Sequence, residues 1–137
     1  MKPIILEKTE TTPLVIFNNE INQFRLEGEA RPENARKFFG PLINWLDEYN
    51  KTLFYLKEEA GDSYLKKIVF EMYFEYLNSS SVKFMFDVLK KIEELKPNLT
   101  SLKIKWMYDE KDEDMLDNGN EFATMIDIPF EFEPVGK

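Results

Sequence analysis

The stretch from Lys66 to Leu77 constrains the fold more than any other part of the chain. Ile68, Phe70, Met72, Phe74 and Tyr76 recur at every second position, and Val69, Tyr73 and Leu77 fall on the opposite side with Glu71 and Glu75 between them. A period of two marks a strand, and apolar groups on both sides predict a central one. A helix follows without a linker. Asn78-Ser79-Ser80-Ser81 ends the strand, and Val82, Met85, Phe86, Leu89 and Ile92 then take up the i, i+3, i+4, i+7 spacing of a helix. Lys96-Pro97-Asn98 stops it.

The flanking segments extend this alternation. Ile4-Ile5-Leu6 predicts an edge strand, and Leu14-Val15-Ile16-Phe17 a short strand ended by a turn at Asn18-Asn19. Phe24, Leu26 and Gly28 alternate with Arg25, Glu27 and Glu29, so a hairpin is expected. Pro32-Glu33 predicts a helix start, because Pro suits the first turn and acid suits its positive end. Phe38, Phe39, Leu42, Ile43, Trp45, Leu46, Tyr49 and Leu53 continue one helical stripe, kinked at Pro41. Leu102, Ile104, Trp106 and Tyr108 predict another strand. The acidic run Asp109–Asp114 leads into a third helix bearing Met115, Leu116, Phe122, Ala123 and Ile126. Ile128, Phe130 and Phe132 predict a last strand. The expectation is an α/β chain: one domain over residues 1–137, with a mixed sheet, parallel crossovers and about three packing helices.

Composition narrows the chemistry. The chain has no Cys and no His. Thiolate nucleophiles, disulfides, Cys/His zinc sites, the Ser-His-Asp triad and histidine acid–base chemistry are thereby excluded. Any catalysis would rest on carboxylates, Lys, Tyr or Ser, and a non-enzyme is expected. The formal charge of −8 disfavours nucleic acid and anionic lipid as partners. No signal peptide and no membrane-spanning run is read, so a cytoplasmic protein is expected. Twelve Phe and six Tyr suit the packing of a sheet against helices.

The corner at residues 78–83 is the most informative site. Ser and Asn cap helices well, but a cap needs one such residue and here four stand together. Hydroxyls at a helix N-terminus also suit phosphorylation, since a phosphate there meets free N–H groups and the positive end of the dipole. Lys83, a cation in the first turn one turn after Ser79, fits an anion nearby. Spacing alone leaves ordinary capping and a phosphate-linked switch both open, and favours capping. Other candidates read as structural. If Gly119 is the loop glycine of an EF-hand, Leu116 and Met125 fall where oxygen ligands are required, so no metal is expected. Glu71 and Glu75 read as a polar stripe of a strand, and Trp45, Trp106, Phe84 and Tyr108 as packing groups.

Several segments together resemble the SiaC family of bacterial regulatory phosphoproteins. They are Thr11-Thr12-Pro13, Pro32-Glu33-Asn34, Trp45, Tyr76-Leu77-Asn78-Ser79-Ser80-Ser81-Val82-Lys83, Trp106-Met107-Tyr108-Asp109-Glu110 and Pro129-Phe130. The corner is the most specific of them. The resemblance implies a STAS-like fold of the anti-sigma-factor-antagonist type. It implies a switch phosphorylated by a partner protein kinase and reset by a PP2C-type phosphatase, with no cofactor of its own. In the best-known branch the unphosphorylated form activates a diguanylate cyclase, which makes cyclic di-GMP. The family acceptor directly follows the motif Asn, which places it at Ser79, with Asn78, Ser80, Ser81 and Lys83 shaping its surroundings and the later serines capping the helix. The competing expectation is a small-molecule-binding domain or a carboxylate-based enzyme. A deep pocket with convergent carboxylates would mark it.

Overall fold

The hydrophobic alternation around residues 14–30 and 67–109 resolves into a single sheet. The computed structural model describes residues 1–136. It opens with β1 (Ile4–Leu6), β2 (Leu14–Asn18) and β3 (Gln23–Ala30). It then alternates α1 (Ala35–Ala60), β4 (Lys67–Leu77), α2 (Ser79–Glu93), β5 (Ser101–Asp109), α3 (Glu113–Met125) and β6 (Phe130–Val135). The strand order is β1-β2-β3-β4-β5-β6. The first three strands pair antiparallel, and β3 to β6 pair parallel. The mixed sheet packed by three helices is the expected architecture.

Because each parallel strand sits beside its predecessor, right-handed crossovers carry all three helices to one face. Each helix also starts at the same edge, the C-terminal ends of the parallel strands. Burial follows this arrangement. Ile68, Phe70, Met72 and Phe74 of β4 are each 1% exposed, whereas Val69 is 41% exposed. The strand is central, as the sequence predicts, but its second face is open to solvent. Charged neighbours keep that face wet: Arg25 lies 3.4 Å from Glu71, Lys103 2.9 Å from Glu131 and Lys105 3.4 Å from Glu133. Alternating apolar groups on β4 therefore do not imply cover on both sides.

Tyr76 also departs from expectation. It is exposed, and Leu77 is buried. Gly28 pairs with Phe74 and Glu29 with Tyr76, so Glu75 is an extra residue in β4. Such a bulge shifts the side-chain phase by one position. Gly28 accommodates it at φ +124°, a conformation that side chains rarely adopt. The shift turns Leu77 into the core immediately before the corner.

α1 begins later than Pro32-Glu33 suggests. Asn34 is its N-cap, accepting a hydrogen bond from the Lys37 N–H at 3.1 Å, and the first turn carries no acid. Asn satisfies a free donor where Glu33, outside the helix, does not. The helix continues through Pro41 as one element, as its unbroken apolar stripe implies. Phe17, Phe24, Trp45, Tyr49 and Phe70 form an aromatic cluster between sheet and α1. Trp106 packs against Phe74 and Phe122, and its indole N–H donates to the Met115 carbonyl at 3.0 Å. Phe39 stacks on Phe84 at 5.9 Å, joining α1 to α2.

Candidate functional site

β4 runs directly into α2, and Asn78 makes the junction. Its backbone N–H donates to the Ala30 carbonyl at 3.1 Å, tying the corner to the end of β3. Its side-chain oxygen accepts from the Ser81 N–H at 2.8 Å, and its carbonyl from the Val82 N–H at 2.9 Å. Asn78 is thus the N-cap, and Ser79 is the first helical residue. The expectation that the later serines cap the helix is corrected: one Asn caps it, and the serines fall inside the first turn. Ser81 is 0% exposed, and its Oγ has no hydrogen-bond partner among the described residues. It belongs to the core and offers no hydroxyl to a partner. Ser79, Ser80 and Lys83 are exposed.

Helical spacing separates the two exposed serines. At about 100° per residue, Ser79, Val82, Lys83, Phe86 and Lys90 share one stripe. Ser80 shares its side with Phe84, which stacks on α1 and lies 5.8 Å from the Arg36 guanidinium. Ser79 therefore looks along the outer stripe of α2, and Ser80 is turned toward α1. The first turn of α2 contains no acidic residue, and Lys83 makes no ion pair among the described residues. Of the residues singled out in sequence, Asn78, Ser79, Ser80 and Lys83 come together on this surface, and Ser81 lies beneath it.

Below Ser79 the stripe borders a groove of about 420 Å³ between α2 and α3. Val82, Phe86, Phe122 and Met125 supply its apolar surface, and Lys83, Asp87 and Glu121 its charges. The sequence reading gave Val82 and Phe86 to the core stripe, named Met125 only as a position that fails the metal-loop pattern, and did not mention Glu121. The missed signal was width: Val82 and Phe86 make the apolar arc of α2 broader than its buried residues Met85, Val88, Leu89 and Ile92 require.

The remaining candidates disperse. Glu71 faces Arg25, whereas Glu75 bonds the Lys8 ammonium at 3.0 Å, so the two carboxylates serve separate cations. That contact holds the Lys8 pKa above its ordinary value. Asp112 of the acidic run is the N-cap of α3, accepting from the Met115 N–H at 3.0 Å. Glu113 and Asp114 occupy the first turn, where acid complements the dipole. Trp45 and Trp106 are buried and Phe84 and Tyr108 pack against the core. Among the described residues no group of three or more His, Cys, Asp or Glu gathers to hold a metal, and no helix is long and apolar enough to cross a membrane.

Sheet and corner together define a class: a small one-sided α/β domain that presents a hydroxyl-bearing helix start on its surface. The family model described as "SiaC family regulatory phosphoprotein" matches residues 6–135, and the chain belongs to that family. An uncharacterized protein of Pseudomonas aeruginosa strain UCBPP-PA14 is 25% identical over 130 residues, covering 95% of this chain and 94% of that protein. The crystal structure of apo-SiaC from Pseudomonas aeruginosa matches with a TM-score of 0.78 at 22% identity, covering 97% of this chain and 99% of that one. SiaC as the activator in complex with the diguanylate cyclase SiaD, from the same organism, matches with a TM-score of 0.78 at 23% identity, covering 96% and 99%. At these identities the structural likeness carries the fold.

Proposed function

We propose that this chain is a phosphorylation-controlled adaptor whose unphosphorylated form binds and activates a diguanylate cyclase. Ser79 is the acceptor, a protein kinase loads it, and a PP2C-type phosphatase resets it. The observation that carries this reading is the exposed Ser79 hydroxyl at the first position of α2, in a turn with no acid and with Lys83 one turn on. A phosphate there brings roughly −1.5 to −2 charge to the free N–H donors of that turn. Membership of a family of regulatory phosphoproteins supports the switch. The complex in which SiaC of Pseudomonas aeruginosa is the activator of the diguanylate cyclase SiaD supports the choice of client class.

Two measurements test the proposal. Intact-mass analysis after incubation with the kinase should show one added phosphate on the wild type and none on Ser79→Ala. Undiminished labelling of Ser79→Ala removes the site assignment. Cyclic di-GMP synthesis by the partner cyclase should rise when the unphosphorylated chain is added and fall back once it is phosphorylated. A cyclase indifferent to both forms removes the client class.

A further inference from the structure

α1 is longer than the core it covers. At 1.5 Å per residue its 26 residues run about 39 Å, and its last buried residue is Leu53. Every residue from Phe54 to Ser63 is exposed. Because α1 starts at the rim that holds Ser79, this overhang projects at the opposite edge of the sheet. Solvated helix turns are well served by Glu, Lys or Ala, yet Phe54 is 49% exposed here, Tyr55 67% and Leu56 45%. One exposed apolar residue is ordinary, whereas three in succession make a patch. The overhang is held by other groups. The Lys57 ammonium donates to the Pro97 carbonyl at 2.7 Å, and the Gly61 N–H to the Lys57 carbonyl.

The charges around the patch follow a pattern. Lys51, Phe54, Tyr55 and Glu58 fall at i, i+3, i+4 and i+7, so they share one outward stripe. Lys51 touches Glu48 at 3.5 Å across exposed surface, and Glu58 makes no ion pair among the described residues. A hollow of about 270 Å³ lies beside Phe54, lined also by Asn50, Lys51, Tyr55 and Asn98.

We infer that this stripe pairs with the same stripe of a second copy of the chain, the two overhangs lying antiparallel about a two-fold axis between Phe54 and Tyr55. That axis sets Lys51 of each copy against Glu58 of the other, and Phe54 against Tyr55. A parallel pairing would set Lys51 against Lys51 and Glu58 against Glu58, so the charges select the orientation. The hollow beside Phe54 seats the facing Tyr55 ring, whose hydroxyl stays at the polar margin. At about 200 Å² for a large side chain, the three exposures leave about 300 Å² uncovered on each copy. Two copies, with the stems of Lys51 and Glu58, bury on the order of 1,000 Å², the lower end for a specific interface. Two chains of formal charge −8 also repel each other, so the pair is weak and concentration-dependent. Both Ser79 corners stay free at the far ends of the pair, and the inference is independent of the reading of Ser79.

Sedimentation equilibrium of the full chain at moderate salt, over a series reaching millimolar concentration, should show a monomer–dimer equilibrium. Tyr55→Glu should leave a monomer throughout, with the melting temperature of the dilute chain unchanged. Lys51→Glu and Glu58→Lys should each weaken dimerisation about fivefold, since two exposed pairs are lost per dimer. The double variant should restore it to within about twofold, which a purely structural role of either residue would not do. Ser79→Glu should dimerise as the wild type does. A monomer at every concentration, a dimer indifferent to Tyr55→Glu, or a double variant no better than the singles overturns the inference. A monomeric chain whose Tyr55→Glu variant fails to activate the cyclase gives the patch to the client and overturns the pairing as well.

Discussion

α2 and α3 begin in the same way and end up with opposite electrostatics. Both follow a parallel strand at the same sheet edge, and both are capped by an Asx side chain three residues before the bonded N–H: Asn78 to Ser81 at 2.8 Å, Asp112 to Met115 at 3.0 Å. The cap of α3 is charged, and Glu113 and Asp114 follow in its first turn. The cap of α2 is neutral and its first turn holds serines. α3 thus carries a permanent anion at its positive end, whereas the first turn of α2 carries none. The two helices are also seated differently. An added Cβ on Gly119 of α3 would come within 2.4 Å of the Trp106 indole nitrogen, so α3 lies directly on the core. α2 meets α1 through the Phe39–Phe84 stack.

The largest break in this comparison comes from Gly119→Ala. The added methyl displaces Trp106, itself 0% exposed, and should cost about 3 kcal/mol in urea unfolding. A loss below about 0.5 kcal/mol would mean that α3 can lift without penalty. Removing the caps is gentler. Asn78→Ala and Asp112→Ala should each cost about 1 kcal/mol, and the Asp112 loss alone should shrink as salt is added, because that cap is charged. Exchanging first-turn charge sharpens the contrast further. Ser80→Glu should stabilise by about 0.5 kcal/mol and Asp114→Asn destabilise by a similar amount. A destabilising Ser80→Glu would show that the start of α2 is not short of negative charge. The smallest effect lies at the far ends of the two helices, where Lys96 donates to the Asp127 carboxylate at 2.8 Å. That hydrogen bond and the charge of Lys96 hold the Asp127 pKa below its ordinary value. Its contribution is present above the ordinary carboxylate range and is lost as pH falls through the lowered value. Lys96→Met should therefore flatten the acid limb of the stability profile slightly, as read from urea midpoints across that range.

The sequence carried the strand and helix order because each element writes its own period, from the hairpin of β2 and β3 to the long stripe of α1. It did not carry which face of β4 is covered. That depends on the hand of three successive crossovers, and Val69 and Tyr73 look the same on an open face as on a closed one. Nor could it show the bulge at Glu75, which is a property of two strands paired together. The corner was legible as a helix start, but the division of labour among Asn78, Ser79, Ser80 and Ser81 was not. A one-residue difference in where the helix begins turns a capping serine into a buried one. The groove depended on how α2 and α3 lie against each other, which no single segment records.

Placing all three helices on one face has a consequence for encounter with a partner. Their N-termini share one rim, each contributing about half a positive charge, and only α3 answers with acid in its first turn. A chain with a formal charge of −8 therefore has an orientation built into its field: an approaching acidic segment is turned away from most directions and least from the rim that holds Ser79. Association with an acidic partner should therefore be slow and salt-accelerated overall, and added negative charge at the rim should weaken the directional preference.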